Sequence, residues 1–234
     1  MRPEESMKYR QYEQFDDELL KLDFLKRHNE CLPYIGENYA STRLLLIGES
    51  HYVPKKAVEF VKRPDFYSIS FDDLPKGDYK TWINTRDVFH YRVYQNERFE
   101  NFFSNTASEI AKIIYKTSYP SKEQKITAMH QYAFMNYFKR PSYEEGKTIR
   151  ELVDDDFKIA YDVTCHIIDV LDPRLIIFLS KKSYYKFCES DKGGYVSKYT
   201  VKAVSHPSCR WWNKKRKDGR CAKEEFYDYL LEIL

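Results

Sequence analysis

Four short apolar runs stand out along this chain, at residues 43–47, 131–137, 174–180 and 199–205. The first is continuous rather than alternating, which is the pattern of a strand covered on both faces in a parallel sheet, and the other three read as further strands. Between and around them, apolar positions recur at helical spacing. Phe99, Phe102, Phe103, Ala107, Ile110, Ala111 and Ile114 predict a helix over 97–116, and further helices are predicted at about 148–171, 181–189 and 221–233. Ahead of the first run, Phe15, Leu19, Leu20, Leu22, Phe24 and Leu25 read as one amphipathic helix, placed within residues 10–30. Pro54 is suited to the first position of a helix running through Ala57, Val58, Phe60 and Val61. Residues 64–96 carry Pro64, Pro75 and Gly77 and read as irregular. Strands alternating with helices predict a three-layer α/β/α fold, with a central four-stranded parallel sheet and right-handed crossovers. One domain over residues 1–234 accounts for the pattern, with a helical and loop insertion at about 64–125.

Composition narrows the function classes. The 39 Lys and Arg against 36 Asp and Glu leave a net charge of +3, which permits a local basic face without demanding one. Five cysteines, at positions 31, 165, 188, 209 and 221, form no C-x-x-C pair. That count and spacing speak against a disulfide framework and against a zinc or iron–sulfur site, so no metal and no cofactor are expected. The segment Met1 to Asp17 is charged and polar, unlike a signal peptide. No apolar run approaches the roughly 18–20 residues that span a bilayer. A soluble, cytoplasmic, monomeric protein is the expectation.

The chemistry-bearing residues gather where the predicted strands end. The first strand runs into Gly48-Glu49-Ser50-His51-Tyr52, the second ends on Asn136 followed by Lys139-Arg140-Pro141, the third on Ser180-Lys181-Lys182, and the fourth on His206-Pro207-Ser208. Ligands of open α/β sheets bind outside the carboxyl ends of the strands. Taken in order, these segments resemble the motifs of the uracil-DNA glycosylase superfamily over roughly residues 34–234. Gly48-Glu49-Ser50-His51-Tyr52 is similar to its first motif and Phe134-Met135-Asn136 to its second. Asp172-Pro173-Arg174-Leu175-Ile176-Ile177-Phe178-Leu179 is similar to its third strand, and His206-Pro207-Ser208 is identical to its last motif.

The resemblance implies a base-excision DNA repair enzyme that extrudes a uracil-like base and hydrolyses its N-glycosidic bond. It implies Glu49 and His206 as catalytic residues. Gly48, Ser50, Tyr52, Phe66 and Asn136 would surround the base. Ser208, Arg210, Trp211, Lys214 and Lys215 would contact DNA. This chain departs from the family in several places. Ser50 stands where the most active branch has Asp. Glu49 matches the Glu of a branch whose cluster-binding cysteines are missing here. His51 replaces a usual Pro.

The residues also admit plainer readings. Glu49 is equally a turn carboxylate paired with Lys55 or Lys56. Asn136 is equally a strand terminator, and Trp211-Trp212 equally a loop anchored by one buried Trp. At the level of the whole chain, the alternative is a non-catalytic module that binds nucleic acid or a nucleobase on the same fold.

Overall fold

The computed structural model describes residues 13–54, 57–69, 82–89, 101–143 and 148–234. The sheet has five strands rather than four: β1 (Tyr34–Ile35), β2 (Leu44–Gly48), β3 (Tyr132–Asn136), β4 (Leu175–Phe178) and β5 (Val201–Ala203). Their order is β1-β3-β2-β4-β5. The four expected strands are present and mutually parallel. The unexpected one, β1, pairs antiparallel to β3 at the edge. Two residues are too few to leave a periodicity in the sequence, which is why β1 escapes a reading based on pattern.

Five helices of eight residues or more accompany the sheet among the described residues: α1 (Asn101–Tyr115), α2 (Lys122–Met129), α3 (Asp154–Leu171), α4 (Lys181–Ser190) and α5 (Ala222–Leu230). Two apolar clusters form, one for each set of alternate residues of the central strand. Leu45 and Ile47 of β2 pack with Ala160, Val163 and Ile167 of α3 and Phe187 of α4. Leu44 and Leu46 pack with Ala107 and Ile110 of α1, Met129 of α2 and Phe226 of α5. Side chains of successive strand residues point to opposite faces, so the two clusters cover the two faces of the sheet. Leu44, Leu45, Leu46 and Ile47 are all fully buried, as the continuous apolar run requires.

The N-terminal helix is not continuous. It is broken into single turns at Asp16–Leu19 and Asp23–Arg27, because Leu22 is extended, at φ −76° and ψ 118°. The break lets both Leu19 and Leu25 bury completely, and burial outweighs helical propensity in so short a segment. The helix expected from 148 starts only at Asp154, behind an extended Val153. The helix after Pro54 is the single turn Val58–Val61. Phe99 and part of the expected insertion, at 70–81 and 90–100, lie outside the described residues. No described helix is long and apolar enough to cross a membrane.

Strand order locates a crevice. The connection from β2 goes to β3 on one side, and the connection from β3 returns to β4 on the other. Such a reversal opens a gap at the carboxyl ends of the two strands that flank it, here β2 and β4.

Candidate functional site

The residue after β2 is Glu49, and it sits at that gap. Its backbone extends the sheet, with Tyr137 N–H donating to Gly48 O at 3.1 Å and Phe138 N–H to Glu49 O at 2.9 Å. The turn that follows is tied down by Ser142 N–H donating to His51 O at 2.7 Å and Val53 N–H to Ser142 O at 2.8 Å. Tyr52 bridges Ser142 on this turn. His51 Nε2 lies 3.0 Å from Thr85 Oγ1, and Ser50 is buried.

The half-buried Glu49 carboxylate is held from two directions. Ile149 N–H donates to Oε1 at 2.8 Å, and the Ser180 hydroxyl donates to Oε2 at 2.6 Å. Ser180 is also the N-cap of α4, accepting from Ser183 N–H at 3.3 Å. A single hydroxyl thus joins Glu49 to the start of a helix, where the aligned peptide dipoles favour negative charge. Lys182 grips the same backbone from the other side, donating to Ile149 O and lying over the Phe138 ring at 5.8 Å. Burial holds the Lys182 ammonium below its ordinary pKa, opposed by the Glu49 charge. Lys55 and Lys56, the alternative partners for Glu49, lie outside the described residues.

Asn136 is the direct partner of Gly48 in the β2–β3 ladder. It is 8% exposed, and a methyl group on Gly48 would lie 2.4 Å from its Oδ1 and 3.0 Å from Phe134 Cζ. Gly48 is therefore a close-approach glycine that leaves room for the Asn136 amide. Behind Asn136, the buried Lys139 donates to its backbone carbonyl at 2.5 Å. Burial brings the Lys139 pKa down to about 8.

His206 follows β5 in a loop tied to the sheet by Val204 N–H donating to Phe178 O at 2.9 Å. Ser208 N–H donates to His206 Nδ1 at 3.2 Å. An Nδ1 that accepts a hydrogen bond leaves the proton of the neutral ring on Nε2. Burial lowers the His206 pKa below the ordinary histidine value, with the Glu49 charge acting in the opposite sense. Aromatic contacts join the two ends of the site: Phe134, beside Gly48, packs edge-on to Phe102 at 5.7 Å, and Phe102 lies 5.0 Å from the His206 ring.

The remaining expected residues separate into two groups. Phe66 is fully buried in a satellite cluster with Val61 and Ile83. The Arg140 guanidinium lies over it at 4.6 Å and the residue is 0% exposed, so Phe66, expected beside the base, is a core residue here. Arg140 serves as a staple, donating to Asp156 Oδ1 at 2.8 Å and to the carbonyls of Val61 and Arg63.

Of the second group, Trp211, Lys214 and Lys215 line an open concavity of about 570 Å³, together with Ser205, Arg216 and Lys217. Trp212 is the buried anchor, packed on Phe226 at 5.5 Å. Trp211 stays at the surface between Arg210 at 4.5 Å and Lys214 at 5.6 Å. Ser208, Arg210, Lys214 and Lys215 are exposed.

Sequence reasoning missed Ile149 and Phe102, and gave Ser180 and Lys182 no role. The signal for the last two was present: Ser-Lys-Lys at the end of a strand that opens a helix. Ile149 acts through its backbone, and Phe102 is one of many aromatics on a helix, so neither left a mark in the sequence. Among the described residues there is no group of three or more His, Cys, Asp or Glu that could hold a metal ion. No protein-family model matches the chain, and no curated protein matches it.

Proposed function

We propose that this chain binds a nucleobase extruded from a DNA strand at the carboxyl edge of its sheet and hydrolyses the N-glycosidic bond. The base is uracil or a related damaged base. The observation that carries the reading is the state of His206: Nδ1 accepts the Ser208 N–H, and burial disfavours the imidazolium. The neutral ring then presents Nε2–H as a donor. Glycosidic cleavage sends the C1′–N electron pair onto the base, and a fixed donor stabilises the oxygen on which that charge collects. Water adds hydroxide to C1′, and its remaining proton ends on the departed base. Glu49 faces the cationic sugar or orders that water, as carboxylates do in glycoside hydrolysis. Asn136 supplies one amide donor and one acceptor, which suits the uracil edge. Trp211 with Arg210, Lys214 and Lys215 meets the strand, a stacked base contributing roughly 1–3 kcal/mol.

Incubation with uracil-containing single- and double-stranded oligonucleotides, followed by alkali, tests the reading. Strand breaks at the uracil are expected. Intact strands for every deaminated base, at high protein concentration, would overturn it.

One observation favours binding without cleavage. Both Glu49 carboxylate oxygens already accept a hydrogen bond within the protein, and Ser50 stands where the resemblance leads one to expect Asp. Glu49→Gln separates the two readings. Lost excision with retained binding supports the enzyme, and an unchanged variant supports the module.

A further inference from the structure

Helix α1 belongs to the stretch that lengthens the gap between the first and second motifs, yet it reaches the far end of the site. The Phe102 ring lies 5.0 Å from the His206 ring with a 34° tilt between their planes. Phe102 is itself braced edge-on by Phe103 at 4.9 Å and by Phe134 at 5.7 Å. Three residues along the same helix, the Asn105 amide donates to Pro207 O at 2.8 Å. Residues three apart share a helix face, so one face of α1 holds both the ring of His206 and the carbonyl of the residue after it.

A histidine on a loop has two side-chain torsions and a mobile backbone to restrain. The contacts here act on each. The Phe102 face restricts rotation of the imidazole, and the Asn105 amide fixes Pro207. With the backbone so held, Ser208 N–H stays within reach of Nδ1. We propose that Phe102 and Asn105 are positioning residues, through which helix α1 fixes the orientation and tautomer of His206. Phe102 also excludes water from the ring. The lowered His206 pKa agrees in sign, because burial outweighs the opposing Glu49 carboxylate of the β2 turn. The catalytic consequence rests on the reaction proposed above. The state of the ring does not.

The experiment is a pH titration of ¹⁵N-histidine-labelled full-length protein by NMR, in the wild type, Phe102→Ala and Asn105→Ala, with thermal melts as the check on folding. Wild-type His206 should show the Nε2–H tautomer and titrate below ordinary histidine. In Phe102→Ala it should titrate higher, and in Asn105→Ala the two tautomers should mix. Unchanged tautomer and titration in folded variants would overturn the proposal. Should Phe102→Ala fail to fold, Asn105→Ala, which deletes one half-buried amide, decides alone.

In excision assays each variant should lose roughly 10- to 100-fold in kcat, with binding of a non-cleavable uracil oligonucleotide held. Phe102→Tyr, which keeps the ring face, should restore activity. Absence of excision by the wild type would remove the reaction, while the NMR result would still judge the positioning.

Discussion

Gly48 and Asn136 lie side by side in register, and the Asn136 amide oxygen stands 2.4 Å from where a Gly48 side chain would begin. The first motif thus makes room for the second. Gly48→Ala should force the Asn136 amide out of place, since the flexible side chain yields more readily than Phe134 in the core. Overpacking of this kind costs about 1–3 kcal/mol. A small fall in Tm with a large fall in uracil binding is expected. A variant that binds uracil like the wild type would contradict the pairing.

Ser180 and Glu49 form the next testable pair. A hydrogen bond to a charged group contributes about 1.5–3 kcal/mol, so Ser180→Ala should lower activity by roughly one to two powers of ten. In a double-mutant cycle with Glu49→Gln the losses should not add, because the partners touch. Additive losses would show that the hydroxyl acts elsewhere.

Acid should weaken this protein through the half-buried His206. The folded His206 has a pKa below the ordinary value of 6.5. Its contribution to stability is present above pH 6.5 and is lost as pH falls through the folded pKa, where the unfolded chain takes up the proton first. Melting curves between pH 7.5 and 5 should show the wild type losing more Tm than His206→Gln. Equal losses would place the acid sensitivity on other groups.

Arg140 and Asp156 are 7% and 0% exposed as side chains. They hold the 61–67 stretch to the start of α3, with Tyr67 also donating to Asp156 at 2.5 Å. Deleting either partner leaves a buried charge alone, at about 3–5 kcal/mol. Arg140→Ala and Asp156→Ala should each lower Tm by many degrees. A Tm within two degrees of the wild type would refute the staple.

Much of the frame was legible in the sequence because its signals are local. Leu44-Leu45-Leu46-Ile47 and Leu175-Ile176-Ile177-Phe178 declare buried strands by composition alone, and the polar residues after them necessarily share one edge of a parallel sheet. The rest depends on contacts far apart in the chain. Nothing near Phe102 announces a histidine 104 positions away, and nothing near Glu49 announces the backbone of Ile149. Phe66 misled because an aromatic after a turn looks the same whether it faces a ligand or a guanidinium. The broken N-terminal helix misled because Phe15, Leu19, Leu22 and Leu25 recur at steps of three and four residues while the backbone turns extended at Leu22.

The central claim is that Glu49, Asn136 and His206 serve one bound heterocycle and its departure. Single-turnover release of free uracil from a uracil-containing oligonucleotide, measured by chromatography, tests it most directly. Wild-type protein should release the base, and Glu49→Gln, Asn136→Ala and His206→Ala should each be slower by about 10²–10³-fold while remaining folded. No release by the wild type, or release by the three variants at the wild-type rate, would contradict it.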